Sequence, residues 1–159
     1  MSGRDEPVVG DAGTVTDERV RAIAGAGSAV LATLWATVDL ERALAGIGAS
    51  AATAATDDLL GARVVIVPDG PSGWPLAVAE PATEGRLAAW LARNGEGNAG
   101  SYVAVAGGLP AARARAAGMG IAVSRVGDGP FGPSILVLPG PATGPLLILC
   151  DAAAVPSTP

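Results

Sequence analysis

The chain of 159 residues has no histidine, no lysine and no glutamine, a single cysteine, and only three Trp, one Tyr and one Phe. Without histidine and with one thiol, a structural zinc site of Cys and His ligands is excluded. An intrachain disulfide is excluded as well, and a lone thiol fits a reducing compartment. The ten basic residues are all arginines, set against fifteen acidic ones, for a net charge of −5. No basic stripe exists to displace counterions from a phosphate backbone, so nucleic acid is not an expected partner. Glycine and proline interrupt every apolar run before it reaches bilayer length, so no membrane span is expected. The opening "MSGRDEPVVGDAG" lacks the apolar core of a secretory signal, and a cytoplasmic protein is the expectation. The length suits one domain with a buried interior. The abundance of Ala and Gly reads as the coding bias of a high-GC bacterium and carries no mechanism.

The order of elements is more informative than the composition. Residues 1–14 are polar and turn-rich and are expected to be disordered. "TDERVRAIAG" predicts a short helix with Thr16 as its cap. "SAVLATLWATV" predicts a buried strand, and Asp39 then caps a helix over "LERALAGIG" that stops at glycine. "ARVVIVP" and "WPLAVAEP" predict two more strands. "TEGRLAAWLARNGEG" predicts a linker helix, with Leu87, Trp90 and Leu91 on one stripe. The second half repeats this order, with strand "SYVAVAG", helix "LPAARARAAG" and strands "IAVSRV", "PSILVLP" and "PLLILCD". Each half is a strand, a helix and about three strands.

A βαβββ unit leaves one sheet face uncovered, and two units side by side bury it together. The expected fold is therefore α+β: two βαβββ modules forming a curved, mixed, eight-stranded sheet around a cleft, with helices outside. The expected boundaries are 15–96 for the first module with its N-terminal and linker helices, 97–151 for the second, and 152–159 for a flexible tail.

Three stretches resemble the vicinal oxygen chelate superfamily, which includes glyoxalase I, bleomycin-resistance proteins and methylmalonyl-CoA epimerase. They are "TVDLERAL", "EPATEGRLAAWLARNGEGNAGSYVAV" and "GPSILVLPGPATGPLLILCD". The resemblance implies a metal held by side chains on the inner strands, yet the implied ligand positions are filled by other residues. The first-strand histidine falls on Ala32, the fourth-strand ligand near Ala77, the fifth-strand histidine on Tyr102 and the last-strand glutamate on Ile148. The histidine before the seventh-strand proline is Leu138, and an epimerase-type catalytic glutamate falls near Arg63. Ala and Ile offer no lone pair, so no metal and no other cofactor is expected.

Such replacements make the implied cleft apolar, suited to a hydrophobic small molecule. A period of two adds Val30, Leu34, Ala79, Ala104, Leu146 and Cys150 to the expected lining. The alternative is a cleft that has filled in as ordinary core. Tyr102 is the leading catalytic candidate, as a hydroxyl donor to a ligand carbonyl; its alternative is a packed strand tyrosine. Arg63 is a candidate partner for a ligand carboxylate or enolate, against a solvated strand-edge arginine. Glu80 is a candidate acid or base at a strand end, against an exposed carboxylate. Cys150 has no base to activate it and reads as an inert buried thiol. "GDGPFGP" is either a lid whose Phe131 covers a ligand or a plain interstrand loop. Trp74 is ambiguous, whereas Trp35 and Trp90 read as packing residues under the helices.

Two functions fit these features. One is a metal-independent enzyme that isomerises or cyclises an apolar, polyketide-like intermediate in bacterial secondary metabolism. The alternative is a metabolite- or antibiotic-binding self-resistance protein of the bleomycin-resistance type, with a homodimer possible in either case.

Overall fold

The structure, a computed structural model, describes residues 18–50, 53–138 and 145–151. The terminal segments expected to be disordered or flexible, and Thr16, lie outside the described residues. The first half contains α1 (Glu18–Ala24), β1 (Ala29–Ala36), α2 (Leu40–Ala45), β2 (Ala55–Asp57), β3 (Ala62–Val67) and β4 (Leu76–Pro81). The linker helix α3 (Arg86–Asn94) leads to β5 (Gly97–Val105), α4 (Leu109–Gly118), β6 (Ala122–Val123), β7 (Gly127–Gly129), β8 (Gly132–Leu138) and β9 (Leu146–Asp151).

All the strands join one curled sheet in the order β2-β3-β4-β1-β5-β9-β8-β6, with β7 also on β8. Both β6 and β7 run antiparallel to the same side of β8, β6 at Val137 and Leu138 and β7 at Gly132 to Ser134. They are two pieces of one interrupted strand, which brings nine short elements back to the expected eight. The two halves match: β1 pairs with β4 in parallel, as β5 does with β9, and β1 meets β5 antiparallel at the centre. The sequence reading missed β2 and β7 and drew β6 too long.

Alternation along the strands sorts side chains onto two faces. Ala32, Leu34, Val64, Ala77, Ala79, Tyr102, Leu136 and Ile148 form one buried cluster on the inner face. On the outer face, Leu40 and Leu44 of α2 pack on Val65 and Val78. Ile23 of α1 and Ala112 and Ala116 of α4 pack with Val103, Ile135 and Leu149. Asp39 caps α2 as expected, its carboxylate accepting the Arg42 amide at 3.0 Å. The exception to helices outside is α3, whose Leu87 and Leu91 join the inner cluster, with Trp90 packed beside them. Burying those two leucines contributes about 1.5–3 kcal/mol each and covers part of the inner face. Trp35, expected to pack under a helix, is 41% exposed.

Period two fails at two places in the β1–β5 pair, one of them between Leu34 and Trp35, where Ala99 of β5 is the extra residue and joins the inner cluster. The register also shifts between Val30 and Ala32, and an extra residue at such a bulge reverses facing. Val30 therefore packs with the outer cluster, while Leu31 packs against the inner one.

Glu96 ties the strand-to-helix junction of the first half to the linker. Its carboxylate accepts from the Thr37 hydroxyl at 2.6 Å, the Val38 amide at 2.8 Å and the Arg42 guanidinium at 2.7 Å. These donors, the Thr37 hydroxyl foremost, hold its pKa down to about 2, against an ordinary 4.5. A depressed folded pKa gives stability that is present above 4.5 and lost as pH falls toward 2. The Glu96→Gln variant should therefore lose less stability than the parent between those limits in urea titrations at stepped pH. Parallel acid profiles for the two proteins would refute this role.

Candidate functional site at the inner face

The strand register builds the candidate site in cross-sheet rows. Ala32 lies opposite Tyr102, Tyr102 opposite Ile148, and Ile148 opposite Leu136. One row along, Ala77, Leu34, Gly100 and Leu146 are neighbours. On the other side, Ala104 faces Cys150, and Cys150 faces Ser134. Of the positions singled out on β1, β4, β5 and β9, all but Val30 and Glu80 thus share one face. They do not line an open cleft, for Ala32 is 1% exposed and Ala77, Tyr102 and Ile148 are 0% exposed.

Asp57, from β2, accounts for the polar centre of this face. It is 1% exposed, and its Oδ2 accepts a hydrogen bond from the Tyr102 hydroxyl at 2.6 Å. Its Oδ1 accepts from the amides of Leu59 and Leu60, each at 3.0 Å. Those amides are available because the chain turns directly after the strand, in the manner of an Asx turn. Burial pushes the Asp57 carboxyl above its ordinary 3.8, although Tyr102 and the two amides pull it down. Burial, and then the charge of Asp57, pushes the Tyr102 phenol well above 10. A short O–H···O⁻ bond in a dry setting is the strong kind.

A raised folded pKa carries the opposite sign to that of Glu96. The contribution of Asp57 to stability is full below 3.8 and is lost as pH rises through its higher folded value. In urea unfolding, the parent should lose ground relative to the Asp57→Asn variant as pH rises above 4, by the linkage relation. A difference between the two that is constant with pH would count against a buried, perturbed carboxylate.

Phe131, at the tip of the β7–β8 hairpin, is half-buried and sets its ring 5.3 Å from that of Tyr102, tilted by 60°. Cys150 lies 3.7 Å from the Ser134 hydroxyl, and burial pushes its thiol up to about 12. It stays protonated at neutral pH and is no nucleophile. Leu138 packs half-buried against the inner cluster, Ala104 is half-buried, and Trp74 is half-buried in the turn before β4.

The structure does not bring Arg63 and Glu80 to Tyr102. They pair with each other across β3 and β4, NH1 to Oε2 at 3.7 Å. Because Ala62, Val64 and Ala79 face inward, alternation turns both charged residues outward. There Glu80 accepts the Leu40 amide at 2.9 Å, and Arg63 reaches Glu41 at 3.4 Å. They brace α2 from the far side of the sheet.

The donor set does not fit a divalent ion. Ala32, Ala77, Leu138 and Ile148 have no lone pair to give, and the Tyr102 hydroxyl is committed to Asp57. Among the described residues, no group of three or more His, Cys, Asp or Glu is placed to hold a metal. No described helix is long and apolar enough to cross a membrane.

A curled mixed sheet made from two βαβββ units is the vicinal oxygen chelate fold, and this chain has it. Solved structures agree. A methylmalonyl-CoA epimerase variant from Streptomyces coelicolor, in complex with 2-nitronate-propionyl-CoA, superposes with a TM-score of 0.63 at 24% identity. That match covers 81% of this chain and 97% of the other. The methylmalonyl-CoA epimerase of Mycobacterium tuberculosis gives 0.64 at 20% identity, over 77% and 86%. A hypothetical protein from Bacillus halodurans gives 0.61 at 17% identity, over 79% and 95%. No family model and no curated protein sequence matches the chain.

Proposed function

We propose that this protein is a metal-independent enzyme on the vicinal oxygen chelate fold, isomerising or cyclising an apolar, polyketide-like intermediate, with Asp57 and Tyr102 as its acid–base pair. The observation that carries this reading is the buried 2.6 Å bond between Tyr102 and Asp57, set in the row where the resemblance implies a metal. A carboxylate whose pKa is raised by burial is a stronger base than one in water. When a substrate carbonyl enters, the Tyr102 hydroxyl turns from Asp57 to the carbonyl oxygen. The freed Oδ2 then takes a proton from the adjacent carbon. With a β,γ-unsaturated carbonyl substrate, the dienolate that forms is held by the phenol O–H, and Asp57 returns the proton to the γ carbon, shifting the double bond into conjugation. Ala32, Ala77 and Ala79 leave the surrounding surface small and apolar, which suits a hydrophobic substrate. No cofactor enters this scheme. The single buried thiol, Cys150, is at home in the reducing cytoplasm.

A second reading is a metabolite-binding protein of the bleomycin-resistance type, favoured by the Tyr102–Phe131 ring pair as a surface on which to stack a ligand. Native mass spectrometry of the purified protein identifies any retained small molecule, which is then incubated with the protein in D2O. An isomerase should wash deuterium into the carbon skeleton, and the Asp57→Asn variant should not. A ligand retained without exchange would favour binding alone.

A further inference from the structure

Tyr102 and Asp57 are closed to solvent, so any ligand must be admitted by a part that moves. Among the described residues, one short element lies against both of them. Phe131 lies on the Tyr102 ring, Gly129 sits against the Asp57 carboxylate, and Gly127 sits against the Leu59 side chain. We propose that the β7–β8 hairpin is a gate, swinging away from β2 to admit a small molecule to the Asp57–Tyr102 pair. This inference rests on the reading that the inner face takes a ligand.

The two lateral edges of the curled sheet meet at this point. Among the described residues, β2 pairs only with β3, and β7 only with β8. Across the mouth the Asp58 amide donates to the Asp128 carbonyl at 2.9 Å. The hairpin is weakly held on its own side too. Its ladder matches Gly127 with Ser134, Asp128 with Pro133 and Gly129 with Gly132. Proline donates no hydrogen bond, and glycine brings no side chain to pack. Segments with few apolar contacts and few ladder bonds open locally at low free energy. Helix α3, which also packs on the cluster, is anchored by Leu87 and Leu91, 0% and 8% exposed, and moving it would uncover much more apolar surface. The closed seat also needs glycine. A Cβ on Gly127 would lie 2.8 Å from Leu59 Cδ2, and one on Gly129 would lie 3.2 Å from Asp57 Oδ2.

Cys150 is a built-in reporter, because it is the chain's single cysteine, 0% exposed, and one row from Tyr102. Its alkylation by N-ethylmaleimide, which leaves the introduced thiols unlinked, followed by mass spectrometry of the Cys150 peptide, reads the opening without any turnover. In the Asp58→Cys, Asp128→Cys double variant, oxidation should link β2 to β7 and slow Cys150 labelling about 10-fold or more relative to the reduced form. In the Phe131→Ala variant, labelling should accelerate by a similar factor while the urea midpoint changes little. Equal Cys150 labelling in the linked and reduced forms would overturn the gate. If the link does not form, an unchanged labelling rate in Phe131→Ala would overturn it equally. A gate that operates in a protein showing no deuterium exchange would count against the acid–base reading alone.

Discussion

Changing Tyr102 to Phe should lower turnover about 10²-fold or more, the scale for loss of an oxyanion-type donor, with little change in KM. The ring stays, so its packing against Phe131 and the apolar area of the face are nearly unchanged. What is lost is the 2.6 Å bond to Asp57. That loss leaves a 1% exposed carboxylate with only the Leu59 and Leu60 amides as partners. A hydrogen bond to a charged group contributes roughly 1.5–3 kcal/mol, and the variant should be less stable by about that amount at neutral pH. The stability loss should shrink as pH falls and Asp57 takes up a proton, because a neutral carboxyl tolerates the dry site better. A pure packing role predicts neither the rate effect nor this pH dependence. Kinetics and urea unfolding of the same variant, at two pH values, separate the cases.

The largest structural effect should come from Gly100→Ala. Gly100 lies between β1 and β9 with φ of +153°, and a Cβ there would be driven into the Leu146 carbonyl, with its carbon at 2.6 Å. Backbone cannot step aside as a flexible side chain can, so β5 and β9 would have to separate locally. The cost should be about 4 kcal/mol or more, among the large effects of single substitutions. Gly97 supplies the control, with a nearly identical φ of +154° and nothing within 4 Å of the place a Cβ would take. The Gly97→Ala variant should lose only the conformational part, about 1–2 kcal/mol. Equal losses for the two variants would show that backbone conformation, not the Leu146 carbonyl, demands glycine.

The sequence made the long strands plain because β1, β3, β4, β5, β8 and β9 carry runs rich in Val, Leu and Ile that must be buried. It hid β2 and β7 because neither carries such a run. Ala55–Asp57 sits among alanines and threonines, and Gly127–Gly129 has no apolar side chain at all. Their strand character comes from docking on β3 and β8, which is tertiary information.

The site followed the same division. Tyr102 was legible by its place on a recognisable strand, but Asp57 lay in the hidden one and was not singled out. The available signal was local: an aspartate two and three residues ahead of the leucines in "TDDLL", the spacing at which a side chain can accept their amides. Arg63 and Glu80 were misplaced for a different reason. Alternation from Val64 and Ala79 turns both outward, and it outweighs the approximate correspondence that put Arg63 at a catalytic position. Val30 shows the limit of alternation itself, since the bulge before Ala32 leaves no mark in the sequence.

The central claim is that a buried carboxylate–phenol pair stands where the resemblance implies a metal cage. Elemental analysis of the protein, purified after growth with Zn, Ni, Co and Mn supplied, tests this most directly when combined with turnover or ligand binding before and after a chelator. The account predicts no stoichiometric metal and no effect of chelation. One metal ion per chain, removed by the chelator together with function, would contradict it.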